Sequence, residues 1–292
     1  MRGRIVKGIG GFYYVHSIET GTLYQCRARG IFKKDGIIPL VGDWVDMELL
    51  EDGDGVVNKI HKRTNEFVRP AISNVDQLLV VMAFRDPEPN LRIMDRLLVM
   101  AEKSHTQGML VMNKLDLSTK EEQDKIYGIY NNLYPIFYVN GLTEEGLEPL
   151  RDALYGKSTA LAGPSGVGKS TLLNDLKPQA QAEVGSISKK TSRGKHTTRH
   201  VEIFELSPGT FLFDTPGFTS FDILEAEPDQ LQFYYPEMAE FIGKCRFDNC
   251  RHIDEPGCAV QEGAGQGTIK TSRYDSYKEQ MKEILEKEKN RY

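Results

Sequence analysis

Residues 113–116 read "NKLD" and residues 163–171 read "GPSGVGKST". The second stretch fits G-x-x-x-x-G-K-[ST], in which glycine-rich backbone curls its N–H groups around phosphate oxygens. It follows a short apolar stretch at 159–162 and opens a helical pattern at 169–177, the strand–loop–helix setting that a phosphate loop requires. Gly163, Gly166 and Gly168 supply the curl, with Pro164, Ser165 and Val167 between them. The helix N-terminus adds partial positive charge. Lys169 is expected to reach the β- and γ-phosphates, Ser170 to bind Mg²⁺ and Thr171 to face the α-phosphate.

The shorter motif follows the apolar run "GMLVM". Asp116 is placed to accept hydrogen bonds from the N1–H and 2-amino group of guanine. Adenine has neither donor, so ATP would leave a desolvated carboxylate unpaired, a loss on the order of several kcal/mol. Asn113 is expected to meet N7 and brace the loop, with the stem of Lys114 over the base and Leu115 completing the turn. "VNGLT" at 139–143 follows another apolar run, and its Asn140 and Gly141 are candidates to back the base.

Further along, "DTPG" at 214–217 ends the apolar run "TFLF". Asp214 is expected to hold Mg²⁺ through water, and the Gly217 N–H to meet the γ-phosphate. Upstream, "SKKTSRGKHTTRH" at 188–200 is basic and poor in apolar residues, which suits a switch loop. Thr197 or Thr198 would close on Mg²⁺ and the γ-phosphate, with Thr198 preferred. The residue after "DTPG", where a GTPase commonly carries a glutamine that orients the attacking water, is Phe218. Phenylalanine neither donates nor accepts, so intrinsic hydrolysis is expected to be slow and to wait for a partner. His196 is the nearest candidate to position the water, which makes His196, Lys169 and Thr198 the expected catalytic set.

The motifs run base loop, phosphate loop, switch I, switch II, a circular permutation of the usual order. A parallel α/β sheet tolerates this, because ligands sit beyond the carboxyl ends of the strands and each loop follows its own strand. The break after "DTPGF" puts switch II directly before the C-terminal region, which its movement would then pull.

Residues 67–221 alternate strand and helix patterns, with strands expected at 77–84, 108–113, 135–139, 158–163, 200–206 and 210–214 and helices near 92–104, 119–132, 145–155 and 169–177. Before them, 1–66 holds short half-alternating runs split by "KKDG", "VGD" and "EDGDG", the pattern of a small OB-like β-barrel. Residues 222–292 turn mainly helical and end in what reads as an exposed, charged helix. The expected fold is thus multidomain α/β: a barrel, a permuted P-loop GTPase domain and a small helical module.

That module carries Cys245, Cys250, His252 and Cys258, spaced C-x₄-C-x-H-x₅-C. Three thiolates and an imidazole suit tetrahedral Zn²⁺, and four filled positions make the metal structural. The remaining Cys26 reads as a small buried hydrophobe. The longest apolar runs are far too short to span a bilayer and the first residues lack a signal peptide's apolar core, so a cytoplasmic protein with no membrane partner is expected. A net charge of −5 excludes a uniformly basic nucleic-acid binder, leaving local basic surfaces such as Lys189, Lys190, Arg193, Lys195 and Arg199.

Together "AISNVDQLLVV", "NKLD" ahead of "GPSGVGKST", "GKHTT", "DTPGF" and the Cys/His cluster closely resemble the RsgA family of circularly permuted GTPases, over nearly the whole chain. The resemblance implies an OB-fold domain, a permuted GTPase domain and a zinc domain. It implies a role in late 30S maturation, binding to 16S rRNA, stimulation by the small ribosomal subunit, and a catalytic role for the histidine of "HTT", here His196. The expected ligands are GTP and GDP with Mg²⁺, one structural Zn²⁺, the 30S subunit and 16S rRNA, bound by a monomer. Two other readings stand beside this one. In one, a binding module uses GTP only to lock an RNA-binding shape; in the other, a P-loop kinase acts on a small molecule, against which the paired "NKLD" and "DTPG" argue.

Overall fold

The computed structural model describes residues 1–30, 32, 36–51, 53–177, 201–215 and 226–290. Strands β1 (Arg2–Ile9), β2 (Phe12–Ser17), β3 (Leu23–Ala28), β4 (Trp44–Leu49) and β5 (Gly55–Ile60) form the N-terminal unit. The pairings β1–β2, β2–β3, β3–β5, β5–β4 and β4–β1 close it into a five-stranded, OB-like barrel. Its interior takes the inward residues Ile5, Val15, Cys26, Val45, Met47 and Val57. Cys26 is fully buried with its Sγ 3.6 Å from Met47 Sδ, a packing residue as its isolation in the sequence implied. A short hairpin, β6 (Glu66–Phe67) with β7 (Ile72–Ser73), leads onward.

The GTPase domain is built on β8 (Gln77–Ala83), β9 (Gln107–Asn113), β10 (Ile136–Tyr138), β11 (Ser158–Ala162), β12 (Glu202–Ser207) and β13 (Thr210–Asp214). They lie in the order β10-β9-β8-β11-β13-β12, all parallel except the β12–β13 hairpin. Every residue of β8 is buried, as a central parallel strand covered on both faces requires. Leu78, Val80 and Met82 face α1 (Leu91–Lys103) and α2 (Lys120–Tyr130), in a core continuous with the barrel. Leu79 and Val81 face α3 (Leu147–Leu154) and α4 (Lys169–Leu176).

The barrel is not a detached bead. Strand β1 also pairs with β12, Lys7 opposite Glu202, so one eleven-stranded sheet runs through both units. At the other end of β1, the Arg4 guanidinium is 1% exposed and lies 4.5 Å from the Phe211 ring, 5.0 Å from Trp44 and 5.4 Å from Phe213. It donates to Gly42 O, Ser158 Oγ and Asn74 O, tying the barrel to the first residue of β11. Burial pulls its pKa down to about 10, against the pull of Asp76 and Asp43.

The C-terminal module contains two 3₁₀ turns (Leu231–Tyr234 and Pro236–Met238), α5 (Ala259–Gly265) and α6 (Thr271–Lys289). The sequence suggested that α6 is exposed; instead one stripe is buried. Arg273, Tyr274, Tyr277, Gln280, Met281 and Ile284 recur at helical spacing but mix with charged neighbours, which hid the pattern. Arg273 and Asp95 of α1 are both 0% exposed and paired at 2.7 Å. Arg273 also grips Glu237 through two bonds, at 2.6 and 3.1 Å, while Tyr130 donates to Asp95 at 2.7 Å. Around this lock Arg92 pairs with Glu279 and Arg96 with Glu283.

Removing one partner from a buried ionic cluster strands the others in a low-dielectric interior. Arg273→Met is therefore expected to lower unfolding stability by about 3–5 kcal/mol, measured by chemical denaturation; an unchanged transition midpoint would show the cluster to be neutral.

Candidate guanine-nucleotide site and metal centre

The carboxyl ends of β8, β9, β10, β11 and β13 bring the predicted loops together. Gly163 has φ 146°, and a Cβ there would lie 2.2 Å from Val81 O; Gly168 has φ 92°, and its Cβ would lie 2.2 Å from Asn113 Nδ2. Only glycine fits either place. Helices α1 and α2 are capped by the side chains of Asn90 and Thr119, whereas α4 begins on Gly168, which has none. Its first-turn N–H groups stay available for an anion. Ser165, Gly166, Ser170 and Thr171 are exposed along this rim, with Val167 buried beneath and Pro164 half-buried. Lys169 Nζ donates to Gly163 O at 2.8 Å and Pro164 O at 2.6 Å, and burial holds its pKa below the usual lysine value.

Asn113 joins the base loop to this rim. Its Nδ2 donates to Val167 O at 2.9 Å and its Oδ1 accepts from Gly141 N at 3.2 Å. Asn113 thus bonds to two other loops. Gly141 also lies against Thr171 and Asp175 of α4, where a Cβ would come within 3.3 and 3.2 Å. Asn140 is buried and accepts from Leu142 N, fixing the turn beside it. Lys114 adopts φ 57° and donates to Arg85 O and Asp86 O, so its chain spans the mouth between two loops. Leu115 and Asp116 lie in a single 3₁₀ turn (Leu115–Leu117), with Leu115 N donating to Val139 O and Asp116 exposed.

Asp214 ends β13, half-buried. Burial raises its pKa, Glu202 pushes the same way, and Lys177 and Lys169 oppose. Thr215 is buried and donates to Leu161 O at 2.6 Å, pinning the start of switch II to β11. The Ser170 hydroxyl and Asp214 carboxylate are the hard oxygen donors that magnesium takes. His196, Thr197, Thr198, Gly217, Phe218 and the basic residues Lys189, Lys190, Arg193, Lys195 and Arg199 lie outside the described residues. Glu202, Lys177 and Lys7 were not singled out in the sequence; the strand register sets Glu202 opposite Asp214 and Lys7 opposite Glu202, while Lys177, at the end of α4, comes within electrostatic reach of Asp214.

In the C-terminal module the ligating atoms of Cys245, Cys250, His252 and Cys258 all lie within 4.8 Å of one another. Cys245 Sγ is 3.4 Å from His252 Nδ1 and 3.9 Å from Cys258 Sγ, and His252 Nδ1 is 3.4 Å from Cys258 Sγ. Tetrahedral zinc bonds imply sulfur–sulfur spacings of about 3.8 Å and sulfur–nitrogen spacings of about 3.6 Å. The four residues fit that ion. Without a cation, burial pushes the Cys250 thiol up to about 12, with neighbouring thiols adding to the shift. Gln232 Oε1 stands 2.9 Å from His252 Nε2, the outer partner that leaves Nδ1 for the metal. Tyr274 and Tyr277 of α6 hold the loop by donating to His252 O and Arg251 O.

Family comparison now adds to this geometry. The RsgA GTPase model matches residues 60–224 and the RsgA N-terminal domain model residues 2–57. The chain belongs to the RsgA GTPase family. As a member it is a GTP hydrolase. It is 44% identical to the small ribosomal subunit biogenesis GTPase RsgA of Agathobacter rectalis, covering 99% of this chain and 100% of that one. It is 42% identical to the protein of that name from Caldanaerobacter subterraneus, covering 100% and 98%. Among solved structures, YjeQ from Thermotoga maritima superposes with TM-score 0.84 at 34% identity, covering 97% of this chain and 98% of that one. YloQ, described as a circularly permuted GTPase, gives 0.80 at 35%, covering 98% and 95%. A further model, the 50S ribosome-binding GTPase, matches 158–291. It begins at the P-loop strand and leaves the 113–116 motif outside, as a permuted RsgA-type order demands.

Two outcomes follow from these contacts. Gly168→Ala should break the Asn113–Val167 tie and weaken GTP binding by at least about 30-fold in a nucleotide titration; wild-type affinity would contradict the crowding. Elemental analysis should find one zinc per chain, lost in Cys250→Ser; metal-free wild-type protein would contradict the assignment.

Proposed function

We propose that this chain hydrolyses GTP to GDP and phosphate under stimulation by the small ribosomal subunit, during late 30S maturation and in contact with 16S rRNA. The supporting observation is the Asn113 tie, which holds the base loop on the phosphate loop although the two run backwards along the chain. The relatives' names give the small subunit as the setting.

In this reading Asp116 accepts from the guanine edge, Lys114 and Leu115 frame the base, and Asn113 keeps the loops in place. Gly163 to Thr171 wrap the phosphates, with Lys169 leaving its carbonyl partners for the β- and γ-phosphate oxygens. Gly217 donates to the γ-phosphate, while Ser170, Thr198 and Asp214 hold magnesium. The ion, when bound, offsets charge on the phosphate oxygens. His196 orients the water whose oxygen bonds to the γ-phosphorus as the bond to the β–γ bridging oxygen breaks. With Phe218 where a polar residue commonly sits, water is ordered only when the subunit engages. Zinc at Cys245, Cys250, His252 and Cys258 stiffens the third module. The proposed units are 1–66, 67–221 and 222–292, acting as a cytoplasmic monomer; among the described residues no helix is long and apolar enough to cross a membrane.

Steady-state hydrolysis with and without purified 30S subunits tests this directly. Stimulation by the subunit is expected, with His196→Ala sharply reducing the stimulated rate while GDP affinity stays nearly unchanged. Equal rates with and without subunits would favour a module in which GTP only locks a binding shape.

A further inference from the structure

The edge where barrel and GTPase sheet meet carries a row of charges on the face that holds the phosphate loop. Glu202, the first residue of β12, is the direct cross-strand partner of Asp214. Lys7 of β1 is in turn the partner of Glu202. Directly opposite residues of an antiparallel pair project to the same face, with Cβ atoms about 5 Å apart. Lys7 Nζ meets Glu202 Oε2 at 3.1 Å. Lys177, the residue that follows α4, lies on the same face with its Nζ 3.4 Å from the centre of the Phe204 ring. The row therefore reads Lys7, Glu202, Asp214, with Lys177 within electrostatic reach of both carboxylates and Lys169 within reach of Asp214.

We propose that Lys7 and Glu202 are positioning residues for the nucleotide's magnesium ion: Lys7, carried on the barrel, neutralises Glu202 and keeps it from sharing the ion that Asp214 faces. The inference rests on the reading of Asp214 as a magnesium carboxylate. Two carboxylates on paired positions at the phosphate end repel each other, and each needs a cation. Lys7 supplies one to Glu202 from outside the GTPase domain. Remove Lys7 and Glu202 is left with Lys177, which it shares with Asp214, and with the divalent ion. An anionic ligand on the barrel that draws Lys7 away has the same effect, so barrel occupancy reaches the metal without a change in the phosphate loop. Lys7 and Glu202 remain 30% and 40% exposed, so the pairing weakens with salt.

The test is the Mg²⁺ concentration that half-maximally tightens binding of a fluorescent, non-hydrolysable GTP analogue to the full chain at low ionic strength. Lys7→Gln should lower that midpoint by about threefold or more, since loss of a nearby cation favours a divalent one. Lys7→Arg should keep the wild-type midpoint, and the Lys7→Gln/Glu202→Gln double variant should return towards it. Thermal unfolding midpoints should match wild type within a few degrees in all three, which reports an intact fold. An unshifted midpoint in Lys7→Gln, or an equal shift in the double variant, overturns the proposal. Asp214→Asn separates the two readings: a wild-type midpoint there overturns the magnesium role of Asp214 itself.

Discussion

The carboxamide of Asn113 is bonded to two other loops at once, giving a hydrogen to Val167 O and taking one from Gly141 N. The nucleotide pocket has no continuous stretch of chain to hold it. Its walls come from residues 113–117, 139–143, 163–171 and 214–215, each at the end of a different strand. A parallel sheet places those strand ends side by side, but only to within the slack of four loops. Asn113 removes that slack, and Gly168 is the residue that lets the carboxamide come close enough. Chain order is irrelevant to such a joint, which is why a permuted polypeptide keeps the pocket.

The legible parts of this molecule were those whose chemistry forces a local pattern. The phosphate loop must have glycine where φ is positive, and Gly163, Gly166 and Gly168 all do. A tetrahedral metal site needs sulfur and nitrogen at short spacing, so the four residues of the Cys/His cluster stood together in the sequence. Strand and helix positions in the GTPase domain followed from apolar periodicity to within a few residues. What stayed hidden were contacts between distant charges. Arg273 and Asp95 are 178 positions apart, and Arg4 and Ser158 are 154 apart. Each looks like an ordinary surface residue until the fold buries it. The buried face of α6 escaped for the same reason, since its stripe includes Arg273 and Gln280 among the apolar residues.

These hidden contacts change how the three units relate. The break after "DTPGF" suggested a C-terminal region dragged by switch II. The buried Arg273–Asp95–Glu237 cluster also ties that region to α1. Tyr274 and Tyr277 extend the same helix's grip to the Cys/His loop. Metal loop, α6 and α1 are thereby mechanically in series, and any pull arriving through residues 226–230 works against a buried ionic cluster.

The sheet shared between β1 and β12 has a consequence for how the protein is made. Lys7 and Glu202 are 195 positions apart, so β1 meets its outer neighbour only once all the chain between them has been made. The barrel has by then closed on itself, β1 being paired with β2 on one side and with β4 on the other, and β12 joins β1 through the one register pair of Lys7 and Glu202. Barrel and GTPase sheet are therefore two separately closed bodies welded late, by a short seam rather than by a shared core strand.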